Sequence, residues 1–83
     1  MKSRWIEYNG KKIFYQDFSN NFFNEQVIKK ELEEVQAIVL SQPVDSLLVL
    51  SNFTNTEITT NLMPILNESS KLTKPHVKKT AVL

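Results

Sequence analysis

Between Ser46 and Thr60 the chain reads SLLVLSNFTNTEITT, an apolar run that breaks into Asn and Thr residues just before a helical pattern begins. Leu47 to Leu50, bounded by Pro43 and by the Asn/Thr cluster, is too short for a buried helix and fits a strand. Nothing polar alternates with these residues, so the strand is expected to be buried on both faces, as in the middle of a parallel or mixed sheet. The rest of the chain must supply its neighbours and the helices that cover it. The loop at its carboxyl end is then where an open α/β sheet usually binds other molecules.

The neighbours can be read in order. Trp5 to Asp17 divides around Asn9-Gly10, the dipeptide that best tolerates the positive φ angles of a two-residue hairpin turn. Such a turn sets Glu7 opposite Lys12, Ile6 opposite Ile13 and Trp5 opposite Phe14. One face of the hairpin then carries Ile6, Tyr8, Ile13 and Tyr15 and is expected to turn towards the core. Trp5 and Phe14 fall on the other, half-polar face, where they form a candidate interface for a later segment or for a second copy of the chain. Ser19-Asn20-Asn21 supplies cap-forming residues for a helix from about Phe22 to Leu40, with an apolar stripe of Ile28, Leu32, Val35 and Val39 widened by Val27 and Ile38. Its other positions, among them Glu31, Glu33 and Glu34, read as a solvated charged face, and Glu25 with Lys29 as a favourable i to i+4 pair. Gln42-Pro43 ends that helix.

Beyond the loop, Leu62, Ile65, Leu66, Ser69 and Leu72 mark a second helix capped by Thr59, Thr60 or Asn61, with Pro64 in its first turn and Pro75 as its stop. His76 to Leu83 suits a last strand. The order β-β-α-β-α-β predicts an α/β (α+β) fold, a mixed four-stranded sheet with an N-terminal hairpin and two helices, in a single domain over residues 1–83. The strand that stops on Ala81-Val82-Leu83 without a polar tail suggests a natural chain that continues.

Composition narrows function mainly by exclusion. A net charge of +1 offers no global field for nucleic acid or an anionic membrane. Lys71, Lys74, Lys78 and Lys79 are a local basic cluster, but no aromatic residue interleaves them as a base-stacking platform requires, so nucleic acid is not an expected partner. With no Cys and a single His there is no thiolate site, and no ligand spacing suggests a metal. His76 reads as an exposed strand-end imidazole. No base, nucleophile or cofactor motif is present, so no enzymatic activity and no cofactor are expected. The N-terminus lacks the apolar core of a signal peptide, and no apolar run reaches the ~18 residues of a membrane span, which favours the cytoplasm. The sequons at Asn52 and Asn67 are then chance matches.

The Thr-rich loop is the best candidate site. Thr54, Asn55, Thr56, Thr59 and Thr60 crowd a strand-to-helix junction, where free N–H groups and the helix dipole favour an anion and where a hydroxyl could bind a phosphate or receive one. The plainer reading is that Thr and Asn are ordinary cap and turn residues, and Gly, the usual residue for close phosphate approach, is missing.

Taken together, Arg4-Trp5-Ile6-Glu7-Tyr8-Asn9-Gly10-Lys11-Lys12-Ile13, the Leu48-Val49-Leu50 strand followed by Thr54-Asn55-Thr56 and Thr59, and the closing Pro75-His76-Val77-Lys78-Lys79-Thr80-Ala81-Val82 resemble small bacterial proteins with STAS-like folds, related to anti-sigma-factor antagonists and CRAL-TRIO lipid-transfer domains. The resemblance implies a non-enzymatic regulatory module that binds a protein partner through the loop after the central strand, with a further helix after the last strand. It also implies a phosphoacceptor in that loop, Thr54 or Thr56, although the stretch Asn52-Phe53-Thr54-Asn55-Thr56 has neither the Asp nor the Gly that accompanies such a residue in the antagonists. A different class of function, a carrier that holds an apolar or anionic small molecule between the sheet and its helices, fits the same architecture.

Overall fold

The computed structural model describes residues Met1 to Leu83. Asn9 and Gly10 both take positive φ, 52° and 74°, so the chain reverses within two residues. The strands on either side, β1 (Arg4–Tyr8) and β2 (Lys11–Asp17), pair antiparallel with Glu7 opposite Lys12, Ile6 opposite Ile13 and Trp5 opposite Phe14, the expected register. Then follow α1 (Glu25–Leu40), β3 (Leu47–Asn52), α2 (Met63–Thr73), a short 3₁₀ turn over Lys74–His76 and β4 (Val77–Val82). β3 runs parallel to both β2 and β4, giving a mixed four-stranded sheet in the order β1-β2-β3-β4. The α+β architecture and the order of its elements are those the sequence predicts.

Each strand after β2 is added on the same side of its predecessor, and a right-handed crossover therefore puts both connecting helices on the same face. The apolar stripe of α1, Ile28, Leu32, Val35 and Val39, is buried against that face together with Leu47 and Val49 of β3 and Leu62 at the head of α2. Because Phe14 pairs with Val49, it shares their face and is 0% exposed. This reverses the expected sidedness of the hairpin. Trp5 and Phe14 belong to the core side, their rings 4.9 Å apart, and Lys12 lies 4.4 Å over the Trp5 ring. Ile6, Ile13 and Tyr15 instead share the far face with Leu48 and Leu50, and all five are only half-buried. The central strand is thus covered by helices on one face and not on both, since neither crossover passes over the other side. Phe14 is consequently not available as an interface between copies.

The helix boundaries differ from expectation for identifiable reasons. α1 begins at Glu25, capped by Asn24, whose Oδ1 accepts from the Val27 amide at 3.3 Å. The residues proposed as its caps lie outside it, and Phe22 cannot be helical because its φ is +51°. Val27 is exposed, and Glu25 bonds Thr59 in place of pairing with Lys29. α2 begins at Met63 with Leu62 at the cap position and no side chain capping it. Thr59 serves this turn with its carbonyl, which accepts from Leu62 and Met63, and not with its hydroxyl. Pro64 does occupy the first turn, where few intrahelical bonds are lost.

Phe14 joins both layers, so Phe14→Ala should lower unfolding free energy by about 3–5 kcal/mol, as ring truncation in a packed core does. The same change at exposed Tyr8, on the opposite side of the hairpin, should shift the urea midpoint by under about a quarter of that.

Candidate functional site

β2 and β3 run parallel, so their carboxyl ends leave the sheet side by side, and the two loops that follow remain paired. The Phe18 amide donates to Asn52 O at 2.9 Å, Asn20 N to Thr54 O at 2.8 Å, Phe22 N to Asn55 O at 2.9 Å, and Glu57 N returns to Phe22 O at 2.8 Å. This ladder extends the sheet into an irregular two-chain ribbon, ending in a parallel bridge between Phe22 and Thr56. Asn20 and Asn55 both adopt left-handed backbone, φ 59° and 56°, which Asn tolerates better than most residues, and Asn55 Nδ2 donates to Asn20 Oδ1 at 3.0 Å. Beneath the ribbon, Phe18 and Phe53 stack with ring centroids 5.1 Å apart.

The expected site residues divide sharply within this ribbon. Thr56 Oγ1 donates to Phe18 O and accepts from the Asn21 amide at 3.1 Å, and Thr59 Oγ1 donates to Glu25 Oε1 at 2.8 Å. Both hydroxyls are committed to holding the loops together. Thr54, Asn55 and Thr60 are exposed; the Thr54 amide is held by Asn52 Oδ1 at 2.9 Å, and Asn52 is in turn bonded to Tyr15 Oη at 2.7 Å. Of the two candidate phosphoacceptors, Thr54 is therefore the one whose side chain faces outwards. Sequence reasoning missed Phe22 and Phe23, which are 59% and 73% exposed beside these residues. The signal was present in their surroundings, because Asn20-Asn21-Phe22-Phe23-Asn24 has the Asn content of a loop.

A second feature lies on the helix side of the sheet. Between α2 and strands β3 and β4 there is a cleft of about 470 Å³, with Phe18, Val49 and Leu66 among its apolar lining and Lys74 and Lys78 among its polar lining. No acidic side chain lines it. His76, expected to be an exposed imidazole, is half-buried nearby and bonds through Nδ1 to Gln42 O at 2.7 Å, fastening the start of β4 to the end of α1. With a carbonyl as partner, Nδ1 carries the proton.

The third cluster ties the N-terminus down. Glu31 does not belong to a solvated face as expected. It is 7% exposed and accepts from the Ser3 amide at 3.0 Å and the Lys2 amide at 3.2 Å, tying the N-terminal residues to α1. Asp17 accepts from the Ser19 amide at 3.0 Å and the Ser19 hydroxyl at 2.5 Å, with Lys2 Nζ at 3.7 Å and Arg4 Nη1 at 3.6 Å. Arg4 also stacks over the Tyr15 ring at 4.7 Å. These groups satisfy one another, and no group of three or more His, Asp or Glu residues is arranged to hold a metal ion. No helix is long and apolar enough to cross a membrane.

The chain matches no protein-family model, no curated protein and no solved structure. Of the groups just described, Asp17 and Glu31 have their titration displaced by their surroundings. Burial pushes both carboxyls up, but the Ser19 bonds on Asp17 and the Ser3 and Lys2 bonds on Glu31, helped by nearby positive charge, outweigh it and hold both below their ordinary values of 3.8 and 4.5. A lowered folded-state value means that the unfolded chain binds protons more readily, so the stabilisation is complete above the ordinary values and is lost as pH falls through them towards the folded ones. The denaturation midpoint should be flat through the neutral range and fall below pH 4.5. Glu31→Gln should cost about 1–2 kcal/mol at neutral pH and shallow the acid limb; an unchanged acid limb would contradict this assignment.

Proposed function

We propose that the domain is a non-enzymatic, cytoplasmic protein-interaction module of the STAS-like kind, and that it meets its partner through the paired loops at the carboxyl ends of β2 and β3. One observation carries this reading. Phe22 is held at φ +51°, a conformation that costs a bulky residue on the order of 1–2 kcal/mol, while it and the adjacent Phe23 are both largely exposed. Burial in the domain's own core does not offset that strain, whereas burial in a partner does. The ladder to Asn55 and Glu57 keeps the loop ordered, so little conformational freedom is lost on docking. Aromatic anchors on a rigid support, ringed by exposed polar groups such as Thr54 and Asn55, are the usual make-up of an interaction hot spot.

Thr54 suits the regulatory half of the proposal. Phosphorylation there adds about −2 of charge at the rim of the aromatic pair without breaking a side-chain bond of the ribbon, whereas phosphorylation of Thr56 would part the two loops. Phe14 is buried, so the Trp5 and Phe14 pair is not part of this surface. The carrier reading remains as a second one, favoured by the cleft beneath α2.

The test begins with affinity capture using the wild-type domain, followed by titration of the purified partner. Phe22→Ser combined with Phe23→Ser should weaken that titrated affinity by at least about tenfold while leaving the urea midpoint within error. Phe22→Gly separates strain from contact: it should raise stability by about 0.5–1 kcal/mol, since Gly adopts left-handed backbone freely, and still weaken partner binding. Partner affinity untouched by either variant would place the contact elsewhere on the domain.

A further inference from the structure

We infer that the cleft between α2 and the sheet binds a small amphiphile with one anionic head, a carboxylate or a phosphate, on an apolar body; the inference rests on the carrier reading and adds to it the charge and orientation of the cargo. The inward stripe of α2, in steps of four, three and four, runs Leu62, Leu66, Ser69, Thr73. Its first half is apolar and pins the helix: Leu62 is fully buried and Leu66 packs against the core. Its second half is small and hydroxylated where a covering helix would ordinarily present large apolar side chains. The helix therefore stands off the sheet along that half, and the space beneath, about 470 Å³, falls within the range of small-molecule sites, roughly 300–1,000 Å³.

The cleft is chemically polarised along its length. In a β-α-β crossover the helix runs against the strands, so the start of α2 lies over the carboxyl end of β3 and its end lies over the beginning of β4. One end of the cleft is accordingly lined by Phe18, Phe53 and Leu66, and the other by Thr73, Lys74 and Lys78. The ion pairs of this chain join Lys2 and Arg4 to Asp17, which leaves Lys74 and Lys78 without a carboxylate, and the lining supplies none. Between the two ends, Ser69 is 6% exposed, and its hydroxyl makes no hydrogen bond with a protein group although its carbonyl accepts from Thr73. No buried side-chain polar atom of the chain lacks a partner, so this hydroxyl is open to the cleft, where water or a polar atom of a ligand bonds it. The apolar body then lies on Phe18, Val49 and Leu66, and the head reaches Lys74 and Lys78 past Ser69. Charge complementarity excludes a cationic head, and the apolar end distinguishes this site from one for a free anion.

The purified domain should be titrated by calorimetry and amide-shift mapping with decanoate, decyl phosphate, decanol, decyltrimethylammonium and inorganic phosphate. Decanoate or decyl phosphate should bind with shifts at Val49, Leu66 and Thr73, the preferred one identifying the head, and affinity should fall with added salt. Lys74→Gln with Lys78→Gln should weaken that binding about tenfold and leave decanol unchanged. Ser69→Leu should fill the cleft, abolish binding and keep or raise thermal stability. Equal affinity for decanoate and decanol would overturn the charge assignment while sparing the carrier reading. Inorganic phosphate binding as tightly as decyl phosphate would overturn the amphiphile. No binding by any probe would overturn the inference and the carrier reading together.

Discussion

Both helices of this chain must cover the same face of one sheet, and most of its other features depend on that constraint. The constraint follows from the handedness of β-α-β crossovers acting on a sheet whose strands are added in sequence order, each beyond the last. It makes the face that carries Phe14, Leu47 and Val49 the only one with a helical layer over it, so these three residues and the α1 stripe, with Phe18 and Leu62, make up the buried apolar core. With so small a core, the domain relies on polar fastenings to hold its ends. Glu31 ties the N-terminal residues to α1, Asp17 collects Lys2, Arg4 and Ser19 at the end of β2, and His76 fixes β4 to the turn after α1. Apart from the local Ser19 bond, each joins residues far apart in sequence, where loop closure is costly and a local contact offers nothing.

What was legible in the sequence was whatever a few neighbouring residues decide. Asn9-Gly10 permits the left-handed turn that fixes the hairpin register, and the spacing of Ile28, Leu32, Val35 and Val39 fixes which side of α1 is buried. The sidedness of the hairpin was not legible, since it presents apolar residues on both faces. The choice between Ile6, Ile13, Tyr15 and Trp5, Phe14 is made only when Phe14 comes to lie beside Val49, a pairing across the whole of α1. The same distance hid the position of Phe22 and Phe23. Two apolar residues after Ser19-Asn20-Asn21 look like the first turn of a helix, and only the ladder to Asn55, Thr56 and Glu57 holds them out of it. Within the Thr cluster the sequence could not separate roles set by the distant loop: Thr56 and Thr59 stitch loops, while Thr54 faces outwards.

The two surfaces proposed for binding share one physical logic. In each, the chain gives up stability that an unremarkable substitution would recover. At Phe22 the sacrifice is conformational, a bulky residue where Gly or Asn would sit without strain. At Ser69 and Thr73 it is packing, hydroxyls on the inward stripe of a helix whose earlier residues are Leu. A domain of this size has little stability to spare, so departures of this kind are informative about use in proportion to what they cost. The two sites also lie close together, because Phe18 and Phe53 stack directly beneath the paired loops and form the apolar end of the cleft. A body seated against those rings would press on the underside of the ribbon that displays Phe22 and Phe23. On the two proposed readings, cargo in the cleft and a partner on the loops would both act on one stacked pair, and thermodynamic linkage requires that any influence of cargo on partner affinity be matched by an equal influence of partner on cargo.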